Sequence, residues 1–430
     1  MIRQILVWTV YLCYFLLAVV TVVWLVILVR EARMAQSALY GAAQARADAA
    51  RSAKGDIRIG VAGAWSNPVC LPQLQGIRLG IEYVNGSGGI RGRHIVPVEK
   101  DDQGDPGVAR RVAQELAEDR TIVAVIGHQS SQICLETASV YDYYGMVMVT
   151  SNASTPRLTR EGRRRVFRTV PNDLQVGDEL ARLARRLGLK RLLIYRVDSD
   201  YGIGLANAFH SSAEEQDLDV ADRMMYDDSL VDSEMRQQLD RMNRYFSADA
   251  LMLVGVVPSA VRVVKFAREV GMQIPILSGD GLDEPELIPL AGPSAEGAIV
   301  ASTFDPDSTQ TETVDFVRRY RERYGIVPET DAAEGYDAAL LLAHAMGTAD
   351  SPAPDDIAEA LRNVKSWKGA TGECSMTDNG DAVKRTIFRT VSGGRFRMLD
   401  EQGYTTSTAA VATSRRDTNT TPPAAPPTNP

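Results

Sequence analysis

Two short apolar runs with a capped helical stretch between them constrain this chain more than anything else in it. Residues 122–126 read Ile-Val-Ala-Val-Ile, the β-branched pattern of a strand covered on both faces. The run stops at Gly127-His128-Gln129, and Ser130-Ser131 stand where a helix begins. A serine there can cap the free N–H groups of the first helical turn. The spacing predicts a helix to about Tyr144, with Gly145 as its stop. A second run, 146–150, ends in Ser151-Asn152-Ala153-Ser154-Thr155-Pro156. Adjacent strands that finish in hydroxyl-rich loops put both loops at one sheet edge, where open α/β folds hold small ligands. Free N–H groups and a helix dipole there favour an anion such as a carboxylate. Any one serine alone also reads as a plain cap or turn residue; the convergence of two loops is what marks a site.

The rest of the chain repeats this rhythm. Residues 5–29 contain no charged side chain, and a helix of that length spans ~37 Å, enough to cross a hydrocarbon core of ~30 Å. With no small-residue cleavage site behind it, the run is expected to be a retained transmembrane signal anchor. The flanking Arg3, Arg30 and Arg33 leave its orientation open. Residues 30–55 are Ala-rich with scattered Arg and are expected to form a helical linker. From Asp56 strands alternate with amphipathic helices, which implies mostly parallel sheets covered on both faces. Asp105-Pro106 is a cap followed by a first-turn proline. Residues 201–204, Tyr-Gly-Ile-Gly, read as a loop into a helix, and Ser392-Gly393-Gly394 as a hairpin turn. Residues 405–430, rich in Thr, Ala and Pro, are expected to be a disordered tail.

Composition excludes several functions. A formal charge of −8 with no basic stripe argues against nucleic-acid binding. Four cysteines without a CxxC pair, and four scattered histidines, give no metal spacing. No GxSxG or P-loop occurs, so neither an enzyme nor a cofactor is expected.

The order of the segments IRIGVAGAWSNP, GIRLGIEYVNGSGGIRGRHI, VEKDDQGDP, AVIGHQSS, SNASTPRLT, VFRTVPND, DSDYGIG, LSGDGL and AEGAIVAS resembles one family. It is that of the type I periplasmic binding proteins of the leucine/isoleucine/valine-binding group, the substrate-binding components of ABC importers. The resemblance covers about residues 56–399. It implies an α/β fold of two doubly wound lobes joined by three hinge crossings. Lobe one would take 56–170 and 304–368, and lobe two 171–303 and 369–402, within a ligand-binding domain of 56–402. Carried over by position, the family's carboxylate serine falls on Ser131. Its next-loop carbonyl and hydroxyl fall on Asn152 and Ser154, its lobe-two aromatic on Tyr201, and its ammonium-binding acid on Asp280.

The departures from the family are specific. The loop 66–73 is shorter than in branched-chain binders and loses its ring-bearing position, leaving nearby Trp65 as a candidate pocket residue. The family's disulfide positions fall on Gly104 and Ser130, so that bridge is absent. Cys70 and Cys134 are expected as free buried thiols, with their pairing an open alternative. Valines stand at 256 and 257 where the branched-chain binders carry aromatics, and Asp280 replaces a longer glutamate. The resemblance, taken with the apolar run 5–29, gives the expectation of an extracytoplasmic binding domain on a single-pass membrane helix. It would capture an amino acid or related amide for an ABC permease and ATPase. The alternative is a receptor subunit that senses the ligand and signals to a membrane partner.

Overall fold

The computed structural model describes residues 1–160 and 162–403; within the first helix the side chains of residues 2–7, 9–15 and 31–40 fall outside that description. The tail expected at 405–430 also lies outside the described residues. Helix α1 (Ile2–Ser52) runs without a break through the apolar stretch and the Ala-rich segment. Residues 16–29 are all exposed. Among the described residues no helix is long and apolar enough to cross a membrane.

Lobe one is built on five parallel strands in the order β2-β1-β3-β4-β5. They are β1 (Ile57–Gly63), β2 (Ile95–Asp101), β3 (Ile122–Ile126), β4 (Val147–Thr150) and β5 (Val166–Arg168). Helices α2 (Leu71–Gly86), α3 (Pro106–Glu118), α4 (Ser131–Tyr143) and the short α5 (Arg157–Arg160) connect them. The caps form as the residues dictate. The Asp105 carboxylate accepts the Val108 N–H at 2.8 Å, and Ser130 Oγ accepts the Ile133 N–H at 3.2 Å. Every residue of β3 is buried, as a central strand covered on both faces must be.

The chain then enters lobe two through α6 (Asp173–Arg186), β6 (Arg191–Val197), α7 (Asp200–Glu215) and β7 (Asp219–Tyr226). It continues with α8 (Asp232–Tyr245), β8 (Ala250–Val254), α9 (Ser259–Glu269), β9 (Ile276–Ser278), α10 (Leu287–Ala291) and β10 (Ile299–Ser302). Residues 201–204 lie in the first turns of α7 rather than in a loop before it. Ser199 caps the helix through the Gly202 N–H at 3.1 Å, so helix geometry starts earlier than the two glycines suggest. The chain returns to lobe one as α11 (Thr311–Tyr324), α12 (Thr330–Thr348) and α13 (Pro354–Arg362), followed by a small antiparallel sheet. That sheet is β11 (Trp367–Gly369), β12 (Gly372–Met376) and β13 (Ala382–Lys384).

The small sheet corrects the expected boundary at 369. Cys374, Met376 and Ala382 pack into the lobe-one core with Leu361 and Val364. Asp337 of α12 also holds the sheet, accepting the N–H groups of Ala370 and Thr371 at 2.7 and 2.9 Å. The third crossing therefore falls after Lys384. Only β14 (Ile387–Val391) and β15 (Phe396–Met398) rejoin lobe two, as an antiparallel edge in the order β15-β14-β10-β9-β8-β6-β7.

Two close approaches shape lobe one. Helices α2 and α12 cross so tightly that a Cβ on Gly76 would lie 1.9 Å from the Ala332 carbonyl oxygen. The last turns of α1 are docked on the lobe, not held free as a spacer. Arg46 is 1% exposed. Its guanidinium donates to the carbonyls of Tyr144 at 3.0 Å and Asp119 at 2.9 Å, and to those of Ile122 and Ala117. Burial lowers the Arg46 pKa to about 10, which leaves it charged at neutral pH. Ala47 and Ala50 are buried beside it. Gly145, at φ 68°, takes a left-handed stop and also leaves room for Ala43, which would meet its Cβ at 2.5 Å.

Candidate functional site

The C-terminal ends of β3 and β4 present the two serine loops, as the alternation of strands and helices requires. Ser131 is buried in the first turn of α4, and its Oγ accepts the Thr155 N–H at 3.3 Å, tying the first loop to the second. Behind them a buried network holds the loops in place. His128 bonds Asp102 at 2.5 Å through Nδ1 and the Tyr141 hydroxyl at 2.9 Å through Nε2. The His128 carbonyl accepts the Thr150 hydroxyl at 2.8 Å and the Cys134 thiol at 3.2 Å. Thr150 Oγ1 in turn accepts the N–H groups of Asn152 and Ala153 at 3.3 and 3.2 Å. Cys70, Cys134 and Cys374 are free thiols.

Lobe two answers from the opposite side. Tyr201, in the first turn of α7, donates its hydroxyl to Asp280 Oδ1 at 2.9 Å and accepts the Gly281 N–H at 3.2 Å. The glycines around Asp280 have a packing cause. A Cβ on Gly279 would lie 2.7 Å from the Tyr201 hydroxyl, and one on Gly281 would lie 2.3 Å from the Gly255 carbonyl oxygen. Burial raises the Asp280 pKa, against the pull of the Tyr201 hydrogen bond.

Between the lobes lies a cavity of about 470 Å³ whose walls include Ser131, Asn152, Ser154, Tyr201 and Asp280. Five of the six residues singled out from the sequence thus meet in one cleft. Trp65 does not. Its ring folds back over Gly63 and against the lobe-one core, with Nε1 3.5 Å from the Val61 carbonyl. The wall in that direction is made by Val69 and Cys70 instead.

Sequence reasoning missed four cavity-lining acids grouped near Asp280, namely Asp283, Glu284, Asp331 and Glu334. Asp283 is the one among them with a basic partner, Arg389 at 2.9 Å, and it also accepts the Thr330 hydroxyl at 2.6 Å. Asp331 accepts the Asn152 side-chain amide at 3.3 Å, and Glu334 the Thr303 hydroxyl at 2.7 Å. Among the described residues no Lys, Arg or His lines the cavity. Burial first, then the neighbouring Asp280 and Asp283, push Asp331 up to about 7. Behind Ser154, Asp173 is fully buried, and burial pushes it too up to about 7. A signal for the missed acids was present. Glu334 and Asp337 are buried in a helical run, 332–346, whose only other charged or titratable side chains are those of Tyr336 and the exposed His344.

A pair of α/β lobes enclosing a cavity, with the hydroxyls of Ser131 and Ser154 on one lobe and Asp280 on the other, defines a two-lobed solute-binding protein. The sequence matches the family described as periplasmic binding protein over residues 56–395, and the chain belongs to that family. It is 27% identical over 328 residues to the Leu/Ile/Val-binding protein homolog 1 of Brucella suis, covering 76% of this chain and 86% of that relative. Over 332 residues it is 25% identical to the leucine-, isoleucine-, valine-, threonine- and alanine-binding protein of Pseudomonas aeruginosa, covering 76% and 87%. Among solved structures, an ABC transporter substrate-binding protein from Desulfitobacterium hafniense in complex with Leu superposes with a TM-score of 0.73 at 32% identity, covering 80% of this chain and 100% of that one. The family binds solutes and is not enzymatic.

Proposed function

We propose that this protein captures an amino acid between its lobes and presents it to an ABC importer, held at the membrane by the apolar half of α1. The observation that carries the reading is the pairing across the cleft. Ser131 and Ser154 on lobe one face Asp280, held by Tyr201, on lobe two, across a cavity of about 470 Å³. That arrangement suits a zwitterion, with donors for the carboxylate and an acid for the ammonium. Each charge-assisted bond of this kind is worth about 1.5–3 kcal/mol. Relatives named for leucine, isoleucine and valine support the amino-acid class.

The anchor rests on residues 5–29, uncharged and long enough to span a bilayer, and on the exposure of residues 16–29. The binding domain then lies outside the cytoplasm, where a permease meets it. Isothermal titration calorimetry of the full chain with a panel of amino acids tests the binding. Heat with at least one is expected, and none with any would overturn the reading. Retention in the membrane fraction after alkaline carbonate washing is expected for the anchor, and release would refute it.

A further inference from the structure

The cleft is charged well beyond what one ammonium needs. A zwitterion brings one positive charge, and Asp280 suffices for it. Yet Glu284, Asp331 and Glu334 also line the cavity, and among the described residues no basic side chain does. Each lacks a cationic partner. The Glu284 carboxylate has no hydrogen bond or ion pair among the described residues. Glu334 is only 7% exposed, and Thr303, its hydrogen-bond partner, is neutral. Asp331 is bonded to the neutral Asn152 amide.

The neighbouring acids behave differently. Asp283 is closed off by Arg389 and Thr330. Asp337, one turn beyond Glu334, is satisfied by two N–H groups and paired with Lys384 at 3.8 Å. The same Lys384 pulls on Glu334 from behind, but its ammonium is committed to Asp337 and Thr371. Asp283 and Asp337 are thus each paired with a base, whereas Glu284, Asp331 and Glu334 on the cavity wall are not.

Asp331 and Glu334 project from one face of α12 at a spacing of three residues, and Glu284 reaches the same wall from lobe two. A helix N-terminus tolerates an acid such as Asp331 in its first turn, but it does not account for Glu284, on another element. Buried carboxylates without counter-charge are costly unless something neutralises them. The same cavity is also lined by Val69 and Val256, enough to cover a short methylene chain.

Resting on the amino-acid reading above, we propose that the cavity acids without a basic partner bind a second positive charge, so that the ligand is a cationic amino acid of the lysine, ornithine or arginine class. Its side chain runs from Asp280 along the valines and ends among Glu284, Asp331 and Glu334. Glu284, Asp331 and Glu334 are then the specificity-determining residues.

Calorimetry of the full chain at neutral pH, with L-lysine, L-ornithine, L-arginine, L-norleucine, L-citrulline and cadaverine, tests this. Lysine, ornithine or arginine is expected to bind at least about tenfold tighter than norleucine and citrulline, the margin of one charge-assisted bond. Norleucine or citrulline binding as tightly as the best cationic ligand would overturn the second-cation site and leave the amino-acid reading intact. Cadaverine binding as tightly as lysine would uphold the second-cation site while removing the carboxylate grip. Heat with no amino acid and no diamine would overturn both. In the Asp331→Asn/Glu334→Gln variant the ratio of lysine to norleucine affinity is expected to fall toward one. An unchanged ratio in a variant that melts cooperatively would overturn the assignment. Glu284→Gln provides the same readout from lobe two should the double variant not fold.

Discussion

In the proposed function Asp280 receives the ligand ammonium, with its Oδ1 held in place by the Tyr201 hydroxyl. Asp280→Ala is expected to weaken amino-acid binding by about 1.5–3 kcal/mol or more, some ten- to hundredfold, by calorimetry. The melting temperature of the ligand-free protein should not fall, since a buried acid is removed along with its desolvation cost. The buried acids also predict a pH dependence. Asp173 and Asp331, both pushed up to about 7 by burial, bind protons in the folded state that they release in the unfolded one between about pH 4 and pH 7. Stability contributed by these groups is therefore fully present below about pH 4 and is lost as pH rises from there through about 7. The ligand-free melting temperature should fall between pH 5 and pH 8 relative to an Asp173→Asn/Asp331→Asn variant. A difference that grows in the other direction would contradict the assignment. Asp331 faces Asn152, Asp280, Asp283 and Glu286, and Asp173 faces Ser154, Asp280 and Arg168, so removing a neighbouring acid should flatten the slope.

At the scale of elements, Arg46 and the α2–α12 crossing make separate predictions. Arg46→Ala leaves four lobe-one carbonyls without their buried donor, at about 1–3 kcal/mol for each group that water does not reach. Limited proteolysis should then cut within residues 41–52, while ligand affinity stays within about twofold because the cleft is not touched. Gly76→Ala drives a methyl into the Ala332 carbonyl and should lower the urea midpoint by more than a typical overpacking cost of about 1–3 kcal/mol implies, because backbone must move. Elements whose signal is local were legible in the sequence: the capped starts of α3 and α4, the fully apolar β3 and β8, and the β14–β15 hairpin with Gly393 and Gly394 at positive φ. Those decided by tertiary context were not. Edge strand β7 is half-exposed along most of its length and mixes Asp219, Asp222 and Arg223 with its apolar residues, and β11 and β13 have only three residues each. Of the cavity lining, Ser131, Asn152, Ser154, Tyr201 and Asp280 were legible from motif order, whereas Glu284, Asp331 and Glu334 depend on how α12 and lobe two meet.

For the whole molecule, the two lobes already touch around the cleft. The Asp173 N–H donates to the Ser154 carbonyl at 2.9 Å, and Arg157 of α5 pairs with Asp200 of α7 at 3.0 Å. A bound ligand adds bonds to both rims and should draw the lobes together through the three crossings. Hydrogen exchange with and without ligand is the direct measurement. Protection is expected in 129–132 and 279–284, on opposite lobes, and protection confined to one lobe would show that the ligand does not bridge them.

Helix α1 is docked on lobe one by Arg46 and has no proline along its length. From the end of the apolar run at residue 29 to Arg46 it rises only about 26 Å. If that run lies in a bilayer, lobe one has a set bearing and height above the lipid, and lobe two is the half free to swing. Such a protein searches for its permease in two dimensions, with one rim always turned the same way. The encounter then needs little intrinsic affinity between the two proteins, since tethering itself keeps the local concentration high.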